Sequence, residues 1–248
     1  MTKNNPDDPG QIEASRHGRV LVLQLTRKDN GNRLTQQMGE QAVTHLEAAR
    51  IDRAISGCVL TGHGDDFCLG GDYRSAGASS AGRLEFGRAF ADVVQAMRRL
   101  GKPIVAAVNG NAHAGGFALL AACDMAVAAD GATFGLPEAA HGLFPFLALA
   151  IVKDTLPTKV LWDMVYRARM LDASEAKSLY LVNDIVPKNE VLPRAIELAG
   201  CTASLNPDIV SLGRDLYYNT RCANPAEAIE QSRFALAAAL KAMEEGRS

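Results

Sequence analysis

Two short stretches place glycine pairs where backbone chemistry is possible: "DDFCLGGDY" at 65–73 and "HAGGFALL" at 113–120. Each follows an apolar run that reads as a strand, "GCVLTG" in the first case and "PIVAAVNG" in the second, and each pair falls where a helix is expected to begin. The first amide N–H groups of a helix lack partners within it, and the helix dipole adds to their pull on an anion or a polarised carbonyl oxygen. One donor from each loop would make an oxyanion hole. Among the titratable groups, His113 lies two residues before Gly115, and "GLPEAAHG" further on carries Glu138 and His141. A histidine beside small apolar residues is most often a hydrogen-bonded packing group, and His113 is expected to be one. His141 follows Glu138 by one helical turn, so the two can share a face.

Other chemistries lack their signatures. No G-x-x-x-x-G-K-[ST] occurs and no G-x-G-x-x-G follows a strand, which argues against a nucleotide phosphate site. "GASSAG" at 77–82 is not G-x-S-x-G and has no strand before it, so a serine hydrolase is unsupported. "GHGDDF" supplies His63, Asp65 and Asp66, but without a second cluster of ligands it reads as a solvated turn, and no metal is expected. The five cysteines (Cys58, Cys68, Cys123, Cys201, Cys222) show no C-x-x-C spacing and are expected to be reduced, buried thiols.

Composition points the same way. The 26 basic and 28 acidic residues are spread along the chain without a basic block, so nucleic acid is not an expected partner. The longest apolar run, "GLFPFLALAIV" at 142–152, is shorter than the roughly 20 residues that cross a bilayer. The polar start "MTKNNPDDPG" does not resemble a secretory signal, and a cytoplasmic protein with no membrane association is expected.

The elements that must hold these groups alternate. "IEAS" and "VLVLQL" suggest a hairpin, and Thr35 caps a helix with Met38, Ala42, Val43, Leu46 and Ala49 at helical spacing. After "GCVLTG" a helix over about 81–100 carries Leu84, Phe90, Val94 and Met97; after "PIVAAVNG" a helix starts at about Gly115; strands return at "MAVAA" and "ATFG". This alternation predicts an α/β fold with parallel strands and helices packed outside them. From about residue 155 helices dominate, over 158–168, 173–181, 188–204, 207–219 and 225–244, with "NDIVP" extended between the second and third. Asp172 and Glu175 are spaced as a capping box, and Asn224, Pro225 and Glu227 mark the start of the last helix. Its "FALAAALKAM" stripe needs a covering surface, either the main body or another subunit.

Taken together, "FCLGGD", "VNGNAHAGGFALLAACD", "ATFGLPEAAHGLFP" and the helical tail resemble the crotonase family of enoyl-CoA hydratases and isomerases, from about residue 12 to the C-terminus. The resemblance implies a spiral of strand-strand-helix turns over 11–190, a helical trimerisation region over 191–248 and a flexible start over 1–10. It also implies a homotrimer or dimer of trimers acting on an acyl-CoA thioester, with coenzyme A part of the substrate and no permanently bound cofactor. Matched position by position, it assigns the oxyanion amides to Gly71 and Gly115, the catalytic acid to Glu138, and contacts with the coenzyme A portion to Arg27, Leu69 and Asp72.

One departure is specific. Hydratases of the family hold water between two glutamates, and the position of the first, three residues after Gly115, is Ala118 here. The second is Glu138. One carboxylate suffices to move a double bond, taking a proton from C2 and returning it at C4, so an isomerase-type reaction is the leading expectation. Its pocket is expected to be apolar, from Leu136, Leu143, Phe144 and Phe146, which would raise the pKa of Glu138. The alternatives are a hydratase with one of the usual glutamates, in which His141 orients Glu138 or holds a water, and a catalytically weak acyl-CoA-binding or assembly subunit.

Overall fold

The computed structural model describes residues 8–76 and 79–245. Residues 1–7 of the polar start, 77–78 of "GASSAG" and 246–248 lie outside the described residues. Residues 8–10, expected to be flexible, are tied to the body: the Arg27 guanidinium donates to the Asp8 carbonyl and the Thr35 hydroxyl to that of Pro9.

In chain order the elements are β1 (Ile12–His17), β2 (Val20–Leu25), α1 (Gln36–Ile51), β3 (Gly57–Gly62), β4 (Asp66–Cys68), α2 (Ser80–Arg99), β5 (Ile104–Val108), β6 (Asn111–His113) and α3 (Gly115–Ala122). There follow β7 (Met125–Ala129), β8 (Thr133–Gly135), α4 (Phe146–Val152), α5 (Thr158–Arg167), β9 (Met170–Asp172), α6 (Ala173–Ser178), β10 (Asp184–Val186), α7 (Val191–Ala199), α8 (Pro207–Thr220) and α9 (Pro225–Glu245).

The strands form two sheets. The larger has the order β1-β2-β3-β5-β7-β10 and is parallel except for the β1–β2 hairpin; the smaller has the order β4-β6-β8-β9 and is parallel except for β8–β9. The spiral is visible in the connectivity, since β3-β4-α2 and β5-β6-α3 each send one strand to the large sheet, one to the small sheet, then a helix outward. The fold is therefore the α/β spiral that the alternation and the resemblance imply. Every residue of β3 and β5 is buried, as in parallel strands covered on both faces.

The predicted start signals are in place. The Thr35 hydroxyl accepts from Met38 N, Asp172 and Glu175 form a capping box, and Asn224 accepts from Glu227 N. Two helices are shorter than their apolar patterns suggested: α6 stops at Ser178, and α7 runs only from Val191 to Ala199, after a 3-10 turn at Lys188–Glu190 and before Gly200. α7 buries Val191, Ala195 and Ala199 against β3, β5 and β7, so the layer covering the large sheet extends past residue 190. In α2, Phe86, Phe90, Val94 and Met97 are buried, whereas Leu84 faces solvent.

α8 is anchored by polar contacts at the end of α2. Arg214 donates to the carbonyls of Met97 and Arg98, completing the unsatisfied C-terminus of that helix, and pairs with Asp124. α9 packs on α8 and exposes Ile229, Phe234, Leu236, Leu240 and Met243. Cys58 and Cys68 are buried as expected, Cys123 is half-buried, but Cys201 and Cys222 are exposed. Among the described residues no helix is long and apolar enough to cross a membrane, and no group of three or more His, Cys, Asp or Glu side chains gathers to hold a metal.

Candidate active site

The first glycine loop leaves β4 and crosses Leu34. Leu34 N donates to Gly70 O at 2.8 Å and Asp72 N donates to Leu34 O at 2.9 Å, which makes Gly71 the centre of a parallel bridge. In such a bridge the hydrogen bonds use the residues on either side of the central one, so the Gly71 N–H points away from Leu34. The next turn is a short 3-10 segment, Tyr73–Ala76, and α2 starts only at Ser80. The Gly71 donor is therefore presented by a bridged loop and not, as the sequence suggested, by a helix N-terminus.

The second loop matches its prediction. Gly115 opens α3, so its N–H has no partner within the helix. The residue before it, Ala114, has φ 51° and ψ −121°, a conformation that non-glycine residues rarely adopt and that costs on the order of 1–3 kcal/mol. It is held by a 2.8 Å bond from Ala114 N to Gly135 O. Gly116 is required by close packing, because a Cβ there would lie 1.9 Å from the Cys68 carbonyl oxygen. At Gly115 a Cβ would lie 3.1 Å from Phe90 and 3.5 Å from Gly71 N, so the two donor residues are neighbours although 44 positions apart.

Glu138 sits in a 3-10 turn, Pro137–His141, that β8 delivers to the same place. It is 7% exposed, and among the described residues its Oε2 has no hydrogen-bond partner. Burial raises its pKa, opposed by the bond from its own backbone N–H and by the charge of His141. Gly71, Gly115 and Glu138 line one cleft, together with Tyr73, Phe86, Phe90 and the stretch 145–148. Two adjacent amides and one buried carboxylate facing an apolar cleft can polarise a carbonyl and move a proton beside it.

The remaining predicted residues separate. Arg27 and Asp72, expected to contact coenzyme A, are buried and face each other: Arg27 Nη1 lies 2.8 Å from Asp72 Oδ2, and the exposed Arg74 also binds Asp72. Both side chains are thus engaged with each other, and the pair ties the residue after Gly71 to the end of the β2 strand region. Leu69 N donates to Gly31 O at 2.8 Å and Leu69 O accepts from Arg33 Nη1 at 2.6 Å, leaving one carbonyl lone pair for any ligand. His113 Nε2 meets Thr133 Oγ1 at 2.8 Å, and that hydroxyl donates to Asn111 Oδ1, so His113 must carry its proton on Nε2. Burial pushes the His113 pKa down, and its ring lies outside the cleft lining. His141 is exposed and acts on Glu138 through charge, without a hydrogen bond to it among the described residues.

Ala118 is fully buried in α3 and brings no acid to the cleft. The expected apolar wall is only partly the one built. Leu136 is buried elsewhere, Leu143 and Phe144 are absent from the lining, and Phe146 alone of the four contributes. Phe86, Phe90 and Tyr73 take their place. Phe86 and Phe90 were detectable as an i, i+4 aromatic pair on α2, whereas Tyr73 carried no signal beyond its distance of two residues from Gly71.

Comparison with known proteins agrees with this geometry. The family model described as "Enoyl-CoA hydratase/isomerase" matches residues 15–244, and the chain belongs to that family of acyl-CoA enzymes. It is 32% identical over 221 residues to enoyl-CoA hydratase EchA19 of Mycobacterium tuberculosis, covering 87% of this chain and 83% of that one. It is 34% identical over 203 residues to the 2,3-dehydroadipyl-CoA hydratase of Escherichia coli, covering 79% and 77%. The solved enoyl-CoA hydratase of Mycobacterium smegmatis superposes with a TM-score of 0.88 at 25% identity, over 92% of this chain and 90% of that one.

Proposed function

We propose that this enzyme shifts the double bond of an enoyl-CoA thioester with Glu138 as its single base. The thioester oxygen accepts hydrogen bonds from the amides of Gly71 and Gly115, each contributing about 3 kcal/mol to the enolate-like transition state. Glu138 removes a proton from C2 of a 3-enoyl-CoA, the electrons spread over a dienolate, and the same carboxyl returns the proton to C4. The product is the conjugated 2-enoyl-CoA. Coenzyme A enters and leaves as part of the substrate, and no bound cofactor takes part.

The observation that carries this reading is the lone buried carboxylate, with an unpartnered oxygen, in a cleft where Ala118 supplies no second acid. Hydration is the second reading, favoured by the names of the relatives, which are hydratases. The two separate in water labelled with oxygen-18. A double-bond shift turns 3-enoyl-CoA into 2-enoyl-CoA and leaves 2-enoyl-CoA unlabelled; rapid formation of labelled 3-hydroxyacyl-CoA would sink it in favour of hydration. The exposed Phe234, Leu236, Leu240 and Met243 of α9 support a homotrimer or dimer of trimers, tested by the mass of the particle in solution.

A further inference from the structure

Among the described residues, two that line the cleft carry polar side-chain atoms, Glu138 and Tyr73; the rest are glycine, alanine, proline, leucine and phenylalanine. Tyr73 opens the 3-10 turn just after Gly71, and its ring packs on Phe86 with centroids 5.2 Å apart and planes at 55°. Phe86 also fills the space a Cβ on Gly71 would need, 2.6 Å away, so one ring touches both Gly71 and Tyr73, whose own side chain is half-exposed at the cleft. On the same cleft, Glu138 Oε2 is buried and among the described residues accepts no hydrogen bond. A buried carboxylate oxygen without a donor is costly, and a neutral hydroxyl is the donor that would serve it best.

We propose that Tyr73 is a positioning residue: in the substrate-loaded cleft its phenol donates a hydrogen bond to the Glu138 carboxylate and holds it in reach of the carbons between which it carries a proton. This rests on Glu138 being the base. Catalytic hydrogen bonds are often long before substrate binds and tighten in the complex. Tyr73 keeps its own proton throughout, and only the Glu138 carboxyl exchanges one with substrate. The electrostatics agree: burial first, then the negative charge of Glu138, push the Tyr73 phenol above its ordinary value, while Arg33 pulls it back. The phenol therefore stays a donor at neutral pH. The charges bearing on the pair are His141 for Glu138 and Arg33 for Tyr73.

The test uses the full-length enzyme and the exchange of C2 hydrogen for deuterium in a 3-enoyl-CoA, which reads proton removal at C2 directly, whether or not the double bond goes on to move. Tyr73→Phe keeps the ring on Phe86 and removes only the donor. It is expected to lower kcat about tenfold with KM within about twofold, and to raise the acid limb of the kcat profile by about half a pH unit or more, because the ionised carboxylate loses a donor. The melting temperature should not move. Wild-type kcat and acid limb in Tyr73→Phe would overturn the proposal, and so would a raised KM with unchanged kcat. Glu138→Gln, run in parallel, tests the premise separately: full exchange in that variant removes the base itself, whereas loss of exchange there with a wild-type Tyr73→Phe profile removes only Tyr73.

Discussion

Asp72 and Glu138 are both buried carboxylates at the edges of the same loops, and their surroundings treat them in opposite ways. Asp72 Oδ2 faces Arg27 at 2.8 Å, and Oδ1 accepts from Arg74 N and Nε at 3.2 and 3.1 Å. Burial alone would raise its pKa, but the bonds from Arg74 and Arg27 outweigh it and hold the carboxyl below its ordinary value. For Glu138 burial wins and the pKa rises. The first arrangement stabilises the charged form and braces a loop; the second disfavours the charged form and leaves a carboxylate oxygen without a partner among the described residues. Adjacency to a glycine loop does not by itself leave an acid available for chemistry. What matters is whether its oxygens already have partners.

Each arm of this contrast can be broken. Glu138→Gln is expected to have the largest effect, a loss of about a thousandfold in kcat with little change in KM, read by steady-state kinetics on enoyl-CoA thioesters. Asp72→Asn should instead act on stability. Removing the carboxylate charge that faces buried Arg27 costs about 3 kcal/mol in chemical denaturation; a cost below about 1 kcal/mol would show the pair to be dispensable. Gly115→Ala sets a methyl 3.1 Å from Phe90 and 3.5 Å from Gly71 N, and should lower kcat by about a hundredfold while the protein still folds.

The contrast also fixes two pH dependences of opposite sign. The Asp72 pKa is lowered from 3.8, so its stabilisation is present above that value and is lost as pH falls through the lowered pKa. The Glu138 pKa is raised from 4.5, so folding is least burdened below that value and loses stability as pH rises through the raised pKa, while activity grows over the same window as the base ionises. Denaturation and kcat measured from acid to neutral pH check both. The smallest effect expected is a gain of about 1 kcal/mol for Glu138→Gln at neutral pH, since it removes a buried charge with an unpartnered oxygen. A loss of stability in that variant would mean that Glu138 has a structural partner.

Much of this protein could be read along the chain. Period-two and helical patterns, together with the caps at Thr35, Asp172 and Asn224, predicted most elements, because these signals depend on near neighbours. The glycine pairs and the acid at Glu138 marked the groups that line the cleft, and Ala118 marked a position without an acid. What the chain order concealed was partnership. Arg27 and Asp72 are 45 positions apart, and nothing local says that the two charges meet each other.

The sequence by itself determined which groups exist: two backbone donors at glycines, one carboxylate, and no acid at position 118. Only the tertiary structure decided which of them are available. It bridged Gly71 to Leu34 and set it beside Gly115, exchanged the expected wall of Leu136, Leu143 and Phe144 for Phe86, Phe90 and Tyr73, and left Glu138 Oε2 without a partner among the described residues. The physical reason is that burial and pairing are properties of the space around an atom, filled by side chains from distant turns of the spiral.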